Sequence, residues 1–71
     1  MSARDLKFVI FRDVKDGSYR WRLGSARGET VEISERGHRH KGECEQEVYL
    51  LRDDRYPGAE VRDVTVGSFE P

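Results

Sequence analysis

From Lys7 to Asp13 the chain runs Lys-Phe-Val-Ile-Phe-Arg-Asp, aromatic and β-branched, and then meets Val14-Lys15-Asp16-Gly17-Ser18. Strand chemistry gives way to turn chemistry there. Ser18 to Ser25, "SYRWRLGS", alternates between apolar or ring-bearing residues and other side chains. Ala26-Arg27-Gly28 suits a short hairpin loop, with Gly28 supplying the positive φ. Thr30 to Ser34, "TVEIS", alternates once more. The first half of the chain is therefore predicted to be a three-stranded antiparallel meander.

Loop lengths extend this to a register. If Val14 to Gly17 closes the first hairpin, Ile10 lies opposite Trp21 and Phe8 opposite Leu23. If Ala26 to Gly28 closes the second, Leu23 lies opposite Val31 and Arg22 opposite Glu32. Both pairings place Phe8, Ile10, Tyr19, Trp21, Leu23, Val31 and Ile33 on one face. A slip of one residue would scatter that set, so the agreement supports the register. The other face carries Val9, Phe11, Arg20, Arg22, Thr30 and Glu32.

After Gly37 the period changes. Cys44, Val48, Leu51 and Arg55 are spaced as one stripe of a helix running from about Lys41 to Asp54. Glu43, Glu45 and Glu47 crowd its early turns and Arg52 and Arg55 its last, in keeping with the helix dipole. His40 is a poor N-cap by type, and Pro57-Gly58 stops the helix. Glu60 to Val66, "EVRDVTV", is predicted to be a fourth strand. The fold class is α+β in the order β-β-β-α-β, with the helix over the Trp21 face. The expected core is Phe8, Ile10, Trp21, Leu23, Val31, Ile33, Cys44, Val48 and Leu51. Residues 7–66 form a single domain between short tails at 1–6 and 67–71.

Size bounds what such a domain can do. A chain of 71 residues buries only about 60% of the surface its unfolded form exposes, so its core is marginal alone. Domains this small gain stability from disulfides, a metal or a partner subunit. Cys44 is the only cysteine, which excludes an internal disulfide and leaves self-association as the leading remedy. Acidic and basic residues nearly cancel to a net −1, against a general polyanion binder, which carries a clear basic excess. No apolar run approaches membrane-spanning length, and Met1 to Lys7 lacks the apolar centre of a signal peptide. A cytoplasmic location is expected.

The residues of Phe8 to Leu23, "FVIFRDVKDGSYRWRL", followed by "GETVEISERG", a helix opened by Lys41 and "AEVRDVT", resemble the YegP-like family of small proteins of unknown function. The likeness spans Phe8 to Thr65 and is most specific in the Phe-x-Ile-Phe…Asp-Gly-x-Tyr-Arg-Trp-Arg-Leu hairpin. Members carry one such unit or two in tandem. Two units combine into a joint sheet and exchange their last strands. With a single unit present, the resemblance implies a homodimer in which Glu60 to Val66 crosses to the partner. It brings no catalytic residues. The chain departs from the family where His38 and His40 stand in place of an aromatic and a serine before the helix, and in a slightly longer "DRYPGAE" link.

Several constellations could carry chemistry. Arg20 and Arg22 flank Trp21 and could contact phosphates, but neighbours along a strand point to opposite faces, which leaves Trp21 in the core. Arg20 is expected over Phe11 and Arg22 beside Glu32, both ordinary cross-strand pairs. Val9 and Phe11 are either an exposed contact surface or are covered by the arginine stems. Val9, Phe11, Arg20, Arg22 and Glu32 together form the candidate interaction face. His38, His40, Glu43 and Cys44 could supply metal ligands, yet Cys44 falls on the core stripe and no further Cys or His completes a tetrahedral set. Cys44 with His40 is the one nucleophile–base candidate and lacks an orienting group. No glycine-rich phosphate loop occurs. The expectation is a homodimeric structural or protein-interaction module without catalytic activity, cofactor or metal; the alternative is nucleic-acid binding through the Arg20/Arg22 face.

Overall fold

The computed structural model describes residues 5–65. Its elements are β1 (Leu6–Arg12), β2 (Tyr19–Ser25), β3 (Thr30–Ile33), α1 (Lys41–Arg55) and β4 (Glu60–Asp63). The predicted β-β-β-α-β order is present. Leu6, placed in the tail by sequence, already belongs to β1, and Val66, assigned to the last strand, lies outside the described residues. The four strands form one mixed sheet in the order β3-β2-β1-β4. β2 pairs antiparallel with β1, and β4 pairs parallel with β1 of the same chain.

β1 is central because it is the most apolar run, and it is buried on both sides. Phe8 and Ile10 face the helix at 0% and 1% exposure, while Val9, on the opposite face, is still only 6% exposed. Its cross-strand neighbours are Arg22 on β2 and Arg62 on β4. Their long stems are suited to covering it. Of the two readings of Val9, cover by arginine stems fits better, with Arg62 in place of Arg20.

The first hairpin has the expected register, Phe8 opposite Leu23 and Ile10 opposite Trp21. The second does not. The Ala26–Gly28 loop closes as read, with Ser25 N–H donating to the Glu29 carbonyl at 2.8 Å and Gly28 at φ 88°. Gly24 then sits opposite Thr30, but a β-bulge follows, so Leu23 meets Glu32 and Arg22 meets Ile33. Val31 is the extra residue. The slip turns every later side chain of β3 over. Val31 and Ile33, expected in the core, are 48% and 54% exposed. Glu32, expected beside Arg22, is on the helix side, where Tyr56 donates a 3.0 Å hydrogen bond to it and Arg55 lies 3.9 Å away.

The core is Leu6, Phe8, Ile10, Trp21, Leu23, Cys44, Val48 and Ala59, with Tyr19, Leu51, Tyr56 and Val61 packed against it. Phe8 is its hub. The Trp21 ring meets it edge-on at 5.5 Å and the Tyr56 ring at 5.9 Å. Such pairs add about 0.5–1.5 kcal/mol each beyond the area they bury. Tyr56 reaches the β3 side of this core through its hydrogen bond to Glu32, while Ala59 packs beside β4 at the other edge.

α1 ends one residue later than predicted. His40 is its N-cap and makes no side-chain cap hydrogen bond. Lys41 anchors the helix start instead, through a 2.9 Å ion pair to Asp63 at the end of β4.

Candidate functional site

The helix covers one face of the sheet and leaves the other open. On the open face Arg22, Val9 and Arg62 form a row across β2, β1 and β4, and Gly24, Lys7 and Glu60 form the next row. Gly24 has no side chain to fill its place, so a concavity of about 500 Å³ opens there, with Val9 in its lining and Lys7, Arg22, Glu60 and Arg62 around it. Arg22 and Lys7 have no ion-pair partner among the described residues, and Arg62 reaches Glu60 only at 3.9 Å.

Of the five residues assigned to this face from sequence, the structure brings Val9, Phe11, Arg20 and Arg22 to it and removes Glu32. Arg20 is not free to contact a ligand. Its guanidinium is drawn to the turn after β1, with Nε 3.2 Å from Asp13 and an Nη 3.6 Å from Asp16. The Asp13 contact is an ion pair without hydrogen-bond alignment, which leaves Arg20 Nε buried and unbonded among the described residues. The expected Arg20–Phe11 stacking is absent; the cation–π contact in this hairpin is Arg12 over Tyr19, 5.8 Å from its centroid. Arg62 is not legible from the sequence because nothing local assigns β4 a neighbour, whereas Lys7, on β1, shares the parity of Val9 and follows from the first hairpin. Once β4 lies beside β1, Arg62 and Arg22 become equivalent neighbours of Val9.

A second polar cluster lies at the margin of the helix face. One oxygen of Glu47 accepts hydrogen bonds from Trp21 Nε1 and from His38 Nε2, each at 2.8 Å. His38 is half-buried because its backbone exchanges two hydrogen bonds with Tyr19, an antiparallel bridge to the first residue of β2 that follows the bend at Glu35 and Arg36. Burial pushes the Glu47 carboxyl upward, but the bonds from His38 and Trp21 outweigh it and hold the group below its ordinary 4.5. Asp63 behaves alike. Burial opposes its ionisation, and the bonds from Thr65 and Lys41 keep it below its ordinary 3.8. A carboxylate with a depressed folded pKa adds stability above its unfolded pKa and loses it as pH falls. Removing the charge with Asp63→Asn should therefore lower the urea midpoint at neutral pH, and the gap from the parent should close as pH drops below 3.8. A gap that stays constant with pH would mean that this ion pair does not hold the helix to β4.

The potential metal ligands do not gather. His38 is turned to Glu47, His40 is exposed at the helix N-cap, and Cys44 is fully buried beneath the helix. Among the described residues no group of three metal-ligating side chains converges. Burial, followed by the nearby Glu47, pushes the Cys44 thiol up to about 11. The thiolate is the nucleophile, so Cys44 is inert at neutral pH. Native protein should take up iodoacetamide only after denaturant is added; prompt labelling of the folded protein would show that the helix does not seal this position.

Among the described residues no helix is long and apolar enough to cross a membrane. Compared with family models, with curated proteins and with solved structures, the chain finds no match.

Proposed function

We propose that this chain is a non-catalytic, cytoplasmic protein-interaction module, a single YegP-like unit that works as a homodimer. The observation that carries the reading is the apolar side chain that one copy leaves in water at both sheet edges. Val31 and Ile33 on β3 are about half exposed, as is Val64 just beyond β4. A domain this small gains most from covering such residues with a second subunit.

β4 is suited to exchange. It is a four-residue edge strand joined to α1 through Tyr56–Ala59, where Gly58 takes a positive φ of 96°. A β4 from a second copy would meet β1 in the same register, so exchange costs none of the existing contacts. A subunit association of this kind makes melting depend on concentration. The melting temperature should fall on serial dilution from micromolar protein; the same temperature at every concentration would remove the reading.

A second reading, nucleic-acid binding, draws on the unpaired Arg22. It now rests on Arg22 with Lys7 and Arg62, since Asp13 and Asp16 hold Arg20.

A further inference from the structure

Two surfaces of this chain are opposite in charge, and the chain covers neither. One is the open sheet face, where Lys7, Arg22 and Arg62 stand around Val9 and the space above Gly24. The other is a flank of α1, where Glu43, Gln46, Glu47, Leu50, Leu51 and Asp54 line a shallow depression. Leu50 is 65% exposed there. Glu43 and Asp54 have no ion-pair partner among the described residues.

We propose that copies of this chain stack, the acidic Leu50 side of α1 in one copy docking on the basic concavity of the sheet in the next. The dimensions are compatible once the reach of the long arginine side chains is included. Glu43 and Asp54 are eleven residues apart, or about 16 Å along the helix at ~1.5 Å per residue, with Leu50 between them. Arg22 and Arg62 lie one strand to either side of Val9, about 10 Å apart at ~4.8 Å per strand. A leucine seated in the concavity above Gly24, beside the arginine stems that cover Val9, therefore has a cation on each side, within reach of the flanking carboxylates. Pairing of free charges across the interface also accounts for a near-neutral total spread over two unlike faces.

A second copy fits this face better than a nucleic acid does. The concavity has no aromatic ring in its lining on which a base could stack, and Asp5 and Glu60 on its margin would repel phosphates. The two docking surfaces are on opposite sides of the molecule, so the contact is heterologous and does not close on a pair. Stacking therefore adds a second interface to the self-association proposed above.

The test uses the intact chain and two charge-reversed variants, Arg22→Glu with Arg62→Glu on the sheet and Glu43→Lys with Asp54→Lys on the helix. All four positions are exposed, so the fold should persist, with circular dichroism as the check. The screening length grows from roughly 3 Å at about 1 M salt to roughly 30 Å at about 0.01 M. Over that range the average mass of the parent, read by light scattering, should at least double. Each variant alone should stay at its high-salt mass, and an equimolar mixture should regain the low-salt mass, because each supplies the charge the other has lost. A parent mass that ignores salt, a variant that assembles like the parent, or a mixture that fails to recover would overturn the proposal. So would retention of single-stranded DNA by the parent, lost in the sheet variant, without any salt-dependent mass. A monomer at high salt that still stacks at low salt would count against the dimer alone, whereas a dimer at every salt would count against stacking alone.

Discussion

Trp21→Ala should destabilise the domain by about 3–5 kcal/mol, the usual cost of removing a buried aromatic. That is comparable to the whole stability of a domain this size. Three losses combine. Trp21 is 3% exposed and fills the space between the sheet and α1. Its ring supports Phe8 edge-on, and its indole N–H donates to Glu47. Trp21→Phe separates these contributions, since it keeps a ring beside Phe8 and removes only the donor and part of the volume. It should cost clearly less than alanine, and Glu47 would keep its bond from His38. Urea unfolding followed by circular dichroism measures both variants without relying on the tryptophan signal. A loss below about 1 kcal/mol for alanine, the range of surface substitutions, would show that Trp21 is not core.

Gly37→Ala is expected to be the next most damaging change, at about 1–3 kcal/mol, for overpacking rather than for lost burial. A Cβ on Gly37 would overlap the Ser18 hydroxyl and the Ser18 Cβ. The second of these atoms is fixed to the backbone, so the two segments, which lie just outside β2 and β3, must part. The parting would open the Tyr19–His38 bridge, which is what holds His38 against Glu47. Ser18→Gly removes both clashing atoms and gives up one hydrogen bond to Asp16. The double variant should recover most of the loss, giving a clear non-additivity in a double-mutant cycle. Additive costs would mean that the close approach of Gly37 to Ser18 does not constrain the fold.

The first hairpin and the helix were legible because their signals are local and repeated. Phe8, Ile10, Trp21 and Leu23 share one parity, a tight turn fixes their pairing, and Cys44 and Val48 hold the helical period. The second hairpin shows where such reasoning ends. The Ala26–Gly28 loop was placed correctly, yet one bulged residue after it inverted β3. Alternation in "TVEIS" is equally consistent with either parity, and the choice is made by distant groups. Tyr56 bonds Glu32, and the Ser34 hydroxyl accepts from the Trp21 N–H. The basic face was half legible for a similar reason. Arg22 could be placed from hairpin parity, as could Lys7 opposite Gly24, but Arg62 joins them only through the parallel pairing of β4 with β1, a contact between segments far apart in sequence. The capture of Arg20 by Asp13 and Asp16 depends on how the turn folds back over the strand, which parity does not report.

Native mass spectrometry of the protein purified from its own source tests most directly the claim that this domain functions by assembling. A spectrum at micromolar concentration should be dominated by a species of twice the 8.3 kDa chain mass, moving toward the single chain on dilution. A spectrum of the single chain alone at every concentration would contradict it.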